Sequence, residues 1–480
     1  MPHPHGAMPA QEAIGLATQS ALTQITTSTR PSSFDAHNPP EAAVMDKCVH
    51  CGFCLPACPT YVLWGEEMDS PRGRIWLMRK AALGEAPLDT IFQTHIDKCL
   101  GCMACMTACP SGVEYNKLIE DTRGQVERQA VRNDTRSLSD RLFRKLLFAT
   151  FPHPKRLRVL GLPVALYQRT GLQSLVRSSG LLKLLPTRLQ AMEALLPPVP
   201  LNPFHSLPRT VASSNKSRGR VGMLTGCVQD AFFAHVNAAT ARVLAAEGFE
   251  VIIPQSQSCC GALMVHSGLD APAAAYAKKM IATFEAANVD TIVINAAGCG
   301  STMKEYAHLL RDDPSWSTRA AAFSTKCKDI SEVLSPVEPL EPIAPRSPIA
   351  LRVAYHDACH LRHAQGIWQQ PRKLLAQIPN LVVEEIAEAS LCCGSAGVYN
   401  LLHPEPANEL GDRKVSHLLA TGAEAVISAN PGCLLQLMNG LRRRGAAELP
   451  TFHMVELLDA SIRGLTVDQL LHGPRSLDVA

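Results

Sequence analysis

The chain has 480 residues, 46% of them hydrophobic, and a formal net charge of +3. This length allows two or three domains, each with a core of its own. A net charge so close to zero gives no reason to expect a nucleic acid as a partner, so any electrostatic signal has to come from local clusters. The 17 cysteines are too few for a secreted disulfide scaffold of this length. Composition therefore favours a multidomain protein with reduced thiols.

The N-terminal segment lacks the marks of a targeting sequence. Arg30 is its first basic residue, whereas a signal peptide begins with a positive region ahead of its apolar stretch. No run of the chain approaches the roughly eighteen apolar residues of a membrane span. We expect a cytoplasmic protein in which residues 1–45, rich in Ser, Thr, Pro and Ala, form a flexible arm.

Two cysteine runs with the same spacing follow the arm. Each reads C-x2-C-x2-C-x3-C-P, the spacing that folds a short loop around a cubane iron-sulfur cluster. A doubled match is implausible by chance, so the sequence predicts two 4Fe-4S clusters within residues 46–130. The first run contains Cys48, Cys51, Cys54 and Cys58, and the second contains Cys99, Cys102, Cys105 and Cys109.

The fourth cysteine of each run lies too far along the chain to close the cluster of its own run. In two-cluster ferredoxins this cysteine binds the other cluster. Structural zinc is the alternative, but zinc ribbons use two separated cysteine pairs and not runs of three. Helix-forming composition at 75–82 and 115–131 predicts an α-helical ferredoxin-like domain. The predicted ligands are Cys48, Cys51, Cys54 and Cys109 for the first cluster, and Cys99, Cys102, Cys105 and Cys58 for the second.

Residues 131–219 form a basic connector. Between 131 and 190 there are 12 Lys or Arg against 2 Asp, a local net charge of +10. Apolar residues are interleaved with the basic ones, which predicts amphipathic helices that bind an anionic lipid surface or an acidic partner. A solvated basic face packed over the core is an equally open interpretation. Prolines and serines near the end of the connector indicate a linker.

The C-terminal half contains a tandem repeat. Short apolar strands alternate there with helical stretches, which favours α/β domains with mostly parallel strands. In the first repeat, predicted at 220–345, 32 residues separate the first cysteine from a Cys-Cys-Gly triplet and 39 more lead to the last cysteine. In the second repeat, predicted at 346–465, the separations are 33 and 40. The cysteines are Cys227, Cys259, Cys260 and Cys299 in the first repeat, and Cys359, Cys392, Cys393 and Cys433 in the second.

The predicted fold class is therefore α+β and multidomain: an α-helical ferredoxin-like domain, a duplicated α/β Cys-Cys-Gly domain and a tail at 466–480. Since the carboxyl ends of strands in α/β sheets gather ligands, the four thiols of each repeat are expected to converge on one site. Gly261 and Gly394 would let the backbone approach that site closely. Three interpretations stay open: a further iron-sulfur cluster in each repeat, thiol-disulfide chemistry at the vicinal pairs, or buried cysteines without a function.

Several polar residues surround one repeat cysteine. They indicate either a proton-handling or ligand site, or simply a helix start at the surface. Cys327 belongs to neither cysteine set, and we expect an ordinary thiol there. The polar residues around Cys359 are His356, Asp357, His360 and His363.

The cysteine pattern and its flanking strings resemble the family of iron-sulfur subunits of glycolate oxidase, also called glycolate dehydrogenase. The resemblance covers nearly all of residues 46–465. Related architectures occur in the iron-sulfur subunits of glycerol-3-phosphate and lactate systems and in heterodisulfide reductases. The strings are CVHCGFCLPACPTY, SPRGRI, KCLGCMACMTACPSGV, LTGCVQ, SCCGALMVHSG, INAAGCGSTMKEY, YHDACHL and LCCGSAGVYNLL.

The resemblance implies an electron-transfer role. FAD-containing partner subunits would oxidise glycolate to glyoxylate, and this subunit would pass the electrons to a quinone or another acceptor, with peripheral contact to the cytoplasmic face of the inner membrane. The chain has no G-x-G-x-x-G after a predicted strand and no Walker-type loop, so no flavin is expected on it. No catalytic residue is predicted.

The alternatives are an iron-sulfur subunit for lactate or glycerol-3-phosphate oxidation and a heterodisulfide-reductase-like thiol enzyme. Repeats of the latter type end in C-x-x-C. This chain has Thr302 and Gln436 at the last position of that motif, so the fifth thiol is missing from both repeats.

Overall fold

A helical region at the start of the fold carries both cysteine runs. The computed structural model describes residues 30–199, 206–336 and 341–479. Ser70 caps the helix between the two runs, because its hydroxyl accepts a hydrogen bond of 3.0 Å from the amide of Gly73, and Pro71 stands in the first turn. The helices of this region are Ala42–Asp46, Pro59–Trp64, Pro71–Ala82, Thr90–Asp97, Ala104–Thr107 and Tyr115–Arg132, with a 3-10 turn at Glu67–Asp69.

Part of the segment predicted as a flexible arm is folded. Residues 1–29 of that prediction lie outside the described residues. Phe34, Val44 and Met45, however, are buried in the core of the helical region, and Asp35 forms an ion pair of 3.0 Å with Arg128. Residues 30–45 are therefore continuous with the helical region, because their few apolar side chains fill gaps between helices distant in sequence.

The connector is helical, as predicted, but about half of the net charge of residues 131–190 is neutralised by acidic residues outside that window. Seven of its twelve basic residues form ion pairs, and Arg136 lies 2.9 Å from Asp97 and 2.6 Å from Glu127. A set of exposed leucines, here called the leucine face, covers the outside: Leu166, Leu172, Leu175, Leu181 and Leu184. The helices are Leu138–Thr150, Pro154–Arg169, Leu172–Ser178 and Thr187–Ala194, with a 3-10 turn at Leu181–Leu184.

The first repeat is a five-stranded sheet with helices around it. Its strand order is β1-β3-β2-β4-β5, and all neighbours are parallel except β1, which runs antiparallel to β3. The strands are β1 (Thr210–Val211), β2 (Gly219–Met223), β3 (Phe249–Ile252), β4 (Thr291–Ile294) and β5 (Cys327–Asp329). The helices are Val228–Phe232, Ala234–Ala246, Ala262–Val265, Asp270–Ala287, Ala297–Lys304, Tyr306–Leu309, Ser317–Lys326 and Ile330–Leu334.

The second repeat is a four-stranded parallel sheet of order β7-β6-β8-β9. Its strands are β6 (Leu351–His356), β7 (Leu381–Glu385), β8 (Ala425–Ser428) and β9 (Thr451–His453). The helices are Gln369–Leu375, Tyr399–Leu402, Pro404–Leu419, Pro431–Arg443, Met454–Arg463 and Val467–His472, with a π-helical turn at His360–Ala364.

The duplication predicted from cysteine spacing is confirmed by strand register. Val221 pairs with Val251 on one side and Thr291 on the other, and Val353 pairs with Val383 and Ala425 in the same way. Both sheets contribute to one apolar core. The sheets therefore pack as a pair of equivalent units, and the α+β class with parallel strands holds.

The three-residue strands β5 and β9 were not predicted, because they are too short to show an alternating pattern. No helix within the described ranges is long and apolar enough to cross a membrane.

Candidate iron-sulfur sites and the cavity between the repeats

The two cysteine runs form loops with the same backbone conformation. The residues on either side of the second cysteine are left-handed in both: His50 (φ 54°) and Gly52 (φ 89°) in the first loop, Gly101 (φ 67°) and Met103 (φ 61°) in the second. Non-glycine residues adopt this conformation only where the surroundings require it. Such alternation turns successive peptide N–H groups inward, which suits an anionic group between the thiols.

The structure brings the last cysteine of the first run to the second loop. Cys58 lines a small cavity, of about 20 Å³, together with Cys99, Cys102 and Cys105. The Sγ atom of Cys58 lies 3.2 Å from the hydroxyl of Thr60, and the amide of Gly101 donates to the Sγ of Cys99 at 3.4 Å. These four thiols are the set predicted for the second cluster.

Two arginines that the sequence analysis did not single out stand behind this set. Arg74 is almost fully buried, and its guanidinium donates to the carbonyl oxygen of His95 at 2.7 Å. Burial raises the pKa of Cys99, but the positive charges of Arg74 and Arg123 outweigh it and hold that pKa below its ordinary value. A thiolate is therefore favoured at Cys99, as iron binding needs.

The first three cysteines of the first run gather with the last cysteine of the second. Burial raises the pKa of Cys48, and the neighbouring thiols of Cys109 and Cys51 add to this rise. Burial also raises the pKa of Cys54 to about 11, with a contribution from Cys48. Cys51 is exposed, so this set lies at the surface, whereas the set around Cys58 is deeper.

The four thiols of the first repeat form a continuous group. The neighbouring thiols of Cys227 and Cys260 raise the pKa of Cys259, and the thiol of Cys299 acts in turn on that of Cys260. Hydrogen bonds from its two neighbours hold the pKa of Cys260 well below its ordinary value, although burial opposes them. The four thiols of the first repeat thus lie together, as their positions at the ends of strands predict.

The second repeat has the same arrangement and one extra donor. The Sγ atoms of Cys359 and Cys392 are 3.8 Å apart, and hydrogen bonds from Cys392 and Cys433 lower the pKa of Cys393. His356 joins this group: one of its ring nitrogens and the thiols of Cys393 and Cys433 all lie within 4.8 Å of one another. His356 also lowers the pKa of Cys393, and its ring nitrogens have no hydrogen-bond partner outside this thiol group among the described residues.

These donor sets fit iron-sulfur groups. Iron and inorganic sulfide are bound by cysteine thiolates that lie close together. The thiols here are grouped in this way, around an anion-binding loop in the helical region and beside the imidazole of His356 in the second repeat. All 17 cysteines lie in the described ranges, and each is a free thiol. The one outside both sets, Cys327, is buried with its Sγ 3.5 Å from the carbonyl oxygen of Phe323.

The polar residues around Cys359 are buried, so the interpretation as a surface helix start is wrong. His360 lies 3.0 Å from the carbonyl oxygen of Gly101. His363 lies 2.7 Å from the hydroxyl of Thr107. Asp357 forms ion pairs with Arg362 and Arg372. The two histidines thus hold the second repeat against the second cysteine loop, because each contacts a loop residue with one ring nitrogen.

Cys102 of the second loop and Cys359 and Cys392 of the second repeat share one small apolar cluster. The deeper ferredoxin-type site therefore adjoins the second repeat across apolar side chains.

The glycines of the Cys-Cys-Gly triplets were expected to bring the backbone close to the thiol site, but they bring it close to a neighbouring helix. Both are left-handed, with φ of 83° at Gly261 and 88° at Gly394. A Cβ at Gly394 would stand 2.4 Å from the carbonyl oxygen of Ala407. The close approach is therefore to a packed helix, and it fixes the turn that aims the two thiols.

Both repeat sites open onto one cavity of about 470 Å³. The connector helices close its other side with aliphatic side chains, among them Leu157, Leu160 and Val164. Two polar side chains in its wall, Gln229 and His266, lack hydrogen-bond partners among the described residues. Sequence reasoning found neither the cavity nor these two residues, because no local pattern marks a space enclosed by three distant segments.

The fold and the sites define an iron-sulfur protein of the oxidoreductase class, with a helical dicluster region followed by paired cysteine-rich domains. Family models match accordingly: the 4Fe-4S dicluster domain at residues 44–113, the cysteine-rich domain at 221–304 and 353–438, and the linker region of the glycolate oxidase iron-sulfur subunit at 139–196. The chain belongs to the family of glycolate oxidase iron-sulfur subunits.

Relatives support this over most of the chain. The probable glycolate oxidase iron-sulfur subunit of Bacillus subtilis is 42% identical over 86% of this chain and 92% of its own length. The glycolate oxidase iron-sulfur subunit of Escherichia coli is 33% identical over 88% and 95%. Lactate utilization protein A of an Exiguobacterium species is 31% identical, but over only 51% of this chain.

Proposed function

We propose that this chain is the electron-relaying subunit of a glycolate dehydrogenase complex. FAD-containing partner subunits oxidise glycolate to glyoxylate, and the electrons pass one at a time through this chain to a quinone-type acceptor. The names of the two long relatives support glycolate as the substrate. The lactate alternative is weaker, because the lactate utilization relative matches half of the chain.

The observation that carries the proposal is the unbroken series of thiol sets. It begins at exposed Cys51, continues to the deeper set that contains Cys102, and passes through a shared apolar cluster to Cys359. Three thiol groups follow one another from the surface to the second repeat, and the group of the first repeat faces the second across the cavity. They offer a path for single electrons from the surface to the cavity.

In this proposal the two ferredoxin-type sites hold 4Fe-4S clusters with exchanged fourth ligands, so Cys109 serves the first cluster and Cys58 the second. Each Cys-Cys-Gly repeat holds a further iron-sulfur group on its four thiols. The clusters supply one-electron chemistry. The chain's own residues bind them, exclude water from the deeper sites and, at Arg74 and Arg123, compensate negative charge.

The thiol-enzyme alternative has less support. In the second repeat Gln436 stands at the position of the missing fifth thiol, and its side-chain amide donates a hydrogen bond of 2.7 Å to the carbonyl oxygen of Ala407. In the first repeat this position is Thr302, which is buried. Neither residue replaces a nucleophilic sulfur.

The test mixes the anaerobically purified chain with the FAD-containing subunits and adds glycolate. We expect the visible absorbance of the clusters to bleach and the paramagnetic signals of reduced clusters to appear. Cys102→Ser should interrupt reduction of the repeat sites, whereas Cys327→Ser, outside every thiol set, should behave as the wild type. Lactate and glycerol-3-phosphate serve as comparison substrates. Bleaching with either of these and not with glycolate would contradict the proposal.

A further inference from the structure

The cavity between the repeats has two chemically different walls. One wall carries thiols from both repeats: Cys227, Cys259, Cys260 and Cys299 face Cys359, Cys392 and Cys433. The other wall is made of apolar side chains of the connector helices. Iron and sulfide bound by the thiols would take the first side. The apolar side remains for an organic molecule.

The cavity reaches the molecular surface through the connector. Leu146 and Leu160 line it and are also about half exposed, at 50% and 51%. Leu160 belongs to the helix Pro154–Arg169, which also carries Leu166 of the leucine face. Exposed apolar side chains of the connector thus stand at the edge of the cavity.

The lining excludes a charged occupant. Within the described ranges no Lys, Arg, Asp or Glu contributes to the cavity wall. A carboxylate such as glycolate would have to leave water without gaining an opposite charge, which is strongly unfavourable. The occupant is therefore neutral and largely apolar.

Two buried polar side chains provide hydrogen bonds for it. The amide oxygen and nitrogen of Gln229 have no partner in the described part of the chain, although the residue is only 3% exposed. Neither ring nitrogen of His266 has a hydrogen-bond partner among the described residues, although Nδ1 lies 3.9 Å from a carboxylate oxygen of Glu120. The ring stacks on His360 with centroids 4.9 Å apart. Buried polar groups are normally satisfied, so such a pair inside an apolar cavity indicates a missing ligand with hydrogen-bonding oxygens.

We propose that this cavity is the binding site for a lipid-soluble quinone, with Gln229 and His266 hydrogen-bonded to its ring oxygens and its aliphatic tail against Leu157, Leu160 and Val164. The proposal rests on the proposed electron-relaying function and names where its acceptor binds. A quinone satisfies all three observations, because it is neutral and apolar, has two carbonyl oxygens and accepts electrons from the adjacent thiol-held groups.

The reaction balances without another reagent. The quinone takes two electrons, delivered singly through the iron-sulfur groups, and two protons from water, so both carbonyls become hydroxyls. Oxidation of glycolate to glyoxylate supplies the two electrons and releases two protons. The Gln229 amide can donate to a carbonyl oxygen and accept from a hydroxyl, so it fits both quinone and quinol.

The test uses the full chain reduced with dithionite, which separates it from glycolate and from the flavin subunits. Decylubiquinone is added, and reoxidation is followed by the return of cluster absorbance. We expect Gln229→Leu to slow reoxidation by about tenfold, the effect of one lost buried hydrogen bond. We expect Leu160→Trp, which narrows the route, to slow it as well.

Control variants distinguish a loss of quinone binding from a loss of folding. Gln229 loses no protein hydrogen bond when replaced, so its variant should fold as the wild type does. Leu162→Trp changes an exposed residue of the same helix that does not line the cavity, and its reoxidation rate should stay unchanged. Reoxidation by ferricyanide, which needs no apolar site, should be the same in all variants.

A binding measurement gives a second readout. An azido-quinone should label peptides from 146–164 or 228–232 on illumination, and decylubiquinone should compete with it. Labelling confined to other peptides, or equal rates with decylubiquinone in wild type and both cavity variants, would overturn the proposal. Failure of glycolate to reduce the chain, together with normal quinone reoxidation, would instead contradict the electron-relaying function alone.

Discussion

At the scale of single residues, the two repeats differ where their thiol groups are otherwise equivalent. His356 stands three residues before Cys359, and the corresponding position before Cys227 is Leu224. The first site is therefore all thiol, while the second has an imidazole next to Cys393 and Cys433. Since nitrogen ligands raise the potential of iron-sulfur groups relative to thiolate ligands, this difference would make the second site the easier one to reduce.

The exchanged fourth ligands can be tested by single substitutions. Cys58→Ser should remove the deeper cluster and spare the exposed one, because Cys58 lies with Cys99, Cys102 and Cys105. Cys109→Ser should do the opposite. Paramagnetic spectra of the reduced protein distinguish the clusters, and Cys327→Ser controls for the loss of a buried thiol. Identical spectra for Cys58→Ser and Cys54→Ser would show that the ligands are not exchanged.

Glu120 predicts a pH dependence of stability. Burial raises its pKa from 4.5 to about 8, and the carboxylates of Glu305, Asp121 and Asp270 add to this, while Arg123 opposes it. His266 is the other titratable group nearby, 3.9 Å away.

A carboxyl whose pKa is higher in the folded state binds its proton more tightly there. Its stabilisation is complete below the unfolded value and is lost as pH rises through about 8. The free energy of unfolding should fall over this range by at most about 1.4 kcal/mol per pH unit. In Glu120→Gln this fall should be absent from chemical denaturation curves, and in the control, exposed Glu409→Gln, it should persist. If the free energy of unfolding falls with pH equally in the wild type, Glu120→Gln and Glu409→Gln, Glu120 is not the cause of the fall.

At the scale of elements, the connector differs most from its sequence prediction. Its composition indicates a basic surface, but ion pairs with acidic side chains from outside residues 131–190, such as Asp97, Glu127 and Asp230, neutralise about half of its net charge. Net charge in a window does not reveal these partners, because they come from helices and loops elsewhere in the chain. The exposed apolar feature of the connector is the leucine face.

The leucine face predicts binding to lipid. Leu175→Ser combined with Leu184→Ser should reduce cosedimentation with anionic phospholipid vesicles several-fold, because each lost side chain forfeits about 1.5 kcal/mol or more of apolar transfer free energy. Salt should weaken binding only in part, since screening acts on the unpaired basic residues and not on the leucines. Leu419→Ser, exposed on the second repeat, is the control. If the wild type and the double variant bind the vesicles equally, the leucine face does not contribute to lipid binding.

At the scale of the whole molecule, the helical region, connector and repeats enclose the deeper sites jointly. The helix Tyr115–Arg132 binds the first repeat through Arg128–Asp270 and Asp121–Arg311 ion pairs, and the second loop binds the second repeat through His360 and His363. The distances between thiol sets are therefore fixed by contacts among separate parts of the chain.

Iron content measures how many sites are loaded. Anaerobically purified protein should contain about sixteen irons with matching acid-labile sulfide, four for each of four sites. The double variant Cys260→Ser and Cys393→Ser should fall to about eight, with the ferredoxin-type signals intact. Eight irons in the wild type would mean that the repeats hold none.

The sequence by itself determined the features that depend on spacing along the chain: the two cysteine runs, the duplication and the alternation of parallel strands with helices. These features are local because a cysteine run or a strand-turn-helix unit carries its own spacing and its own apolar pattern. Tertiary structure alone decided which sites adjoin, where Arg74 and His356 stand and what the repeats enclose. Those depend on side chains separated by tens to hundreds of residues, whose distances are set only when the apolar surfaces of the separate units pack together.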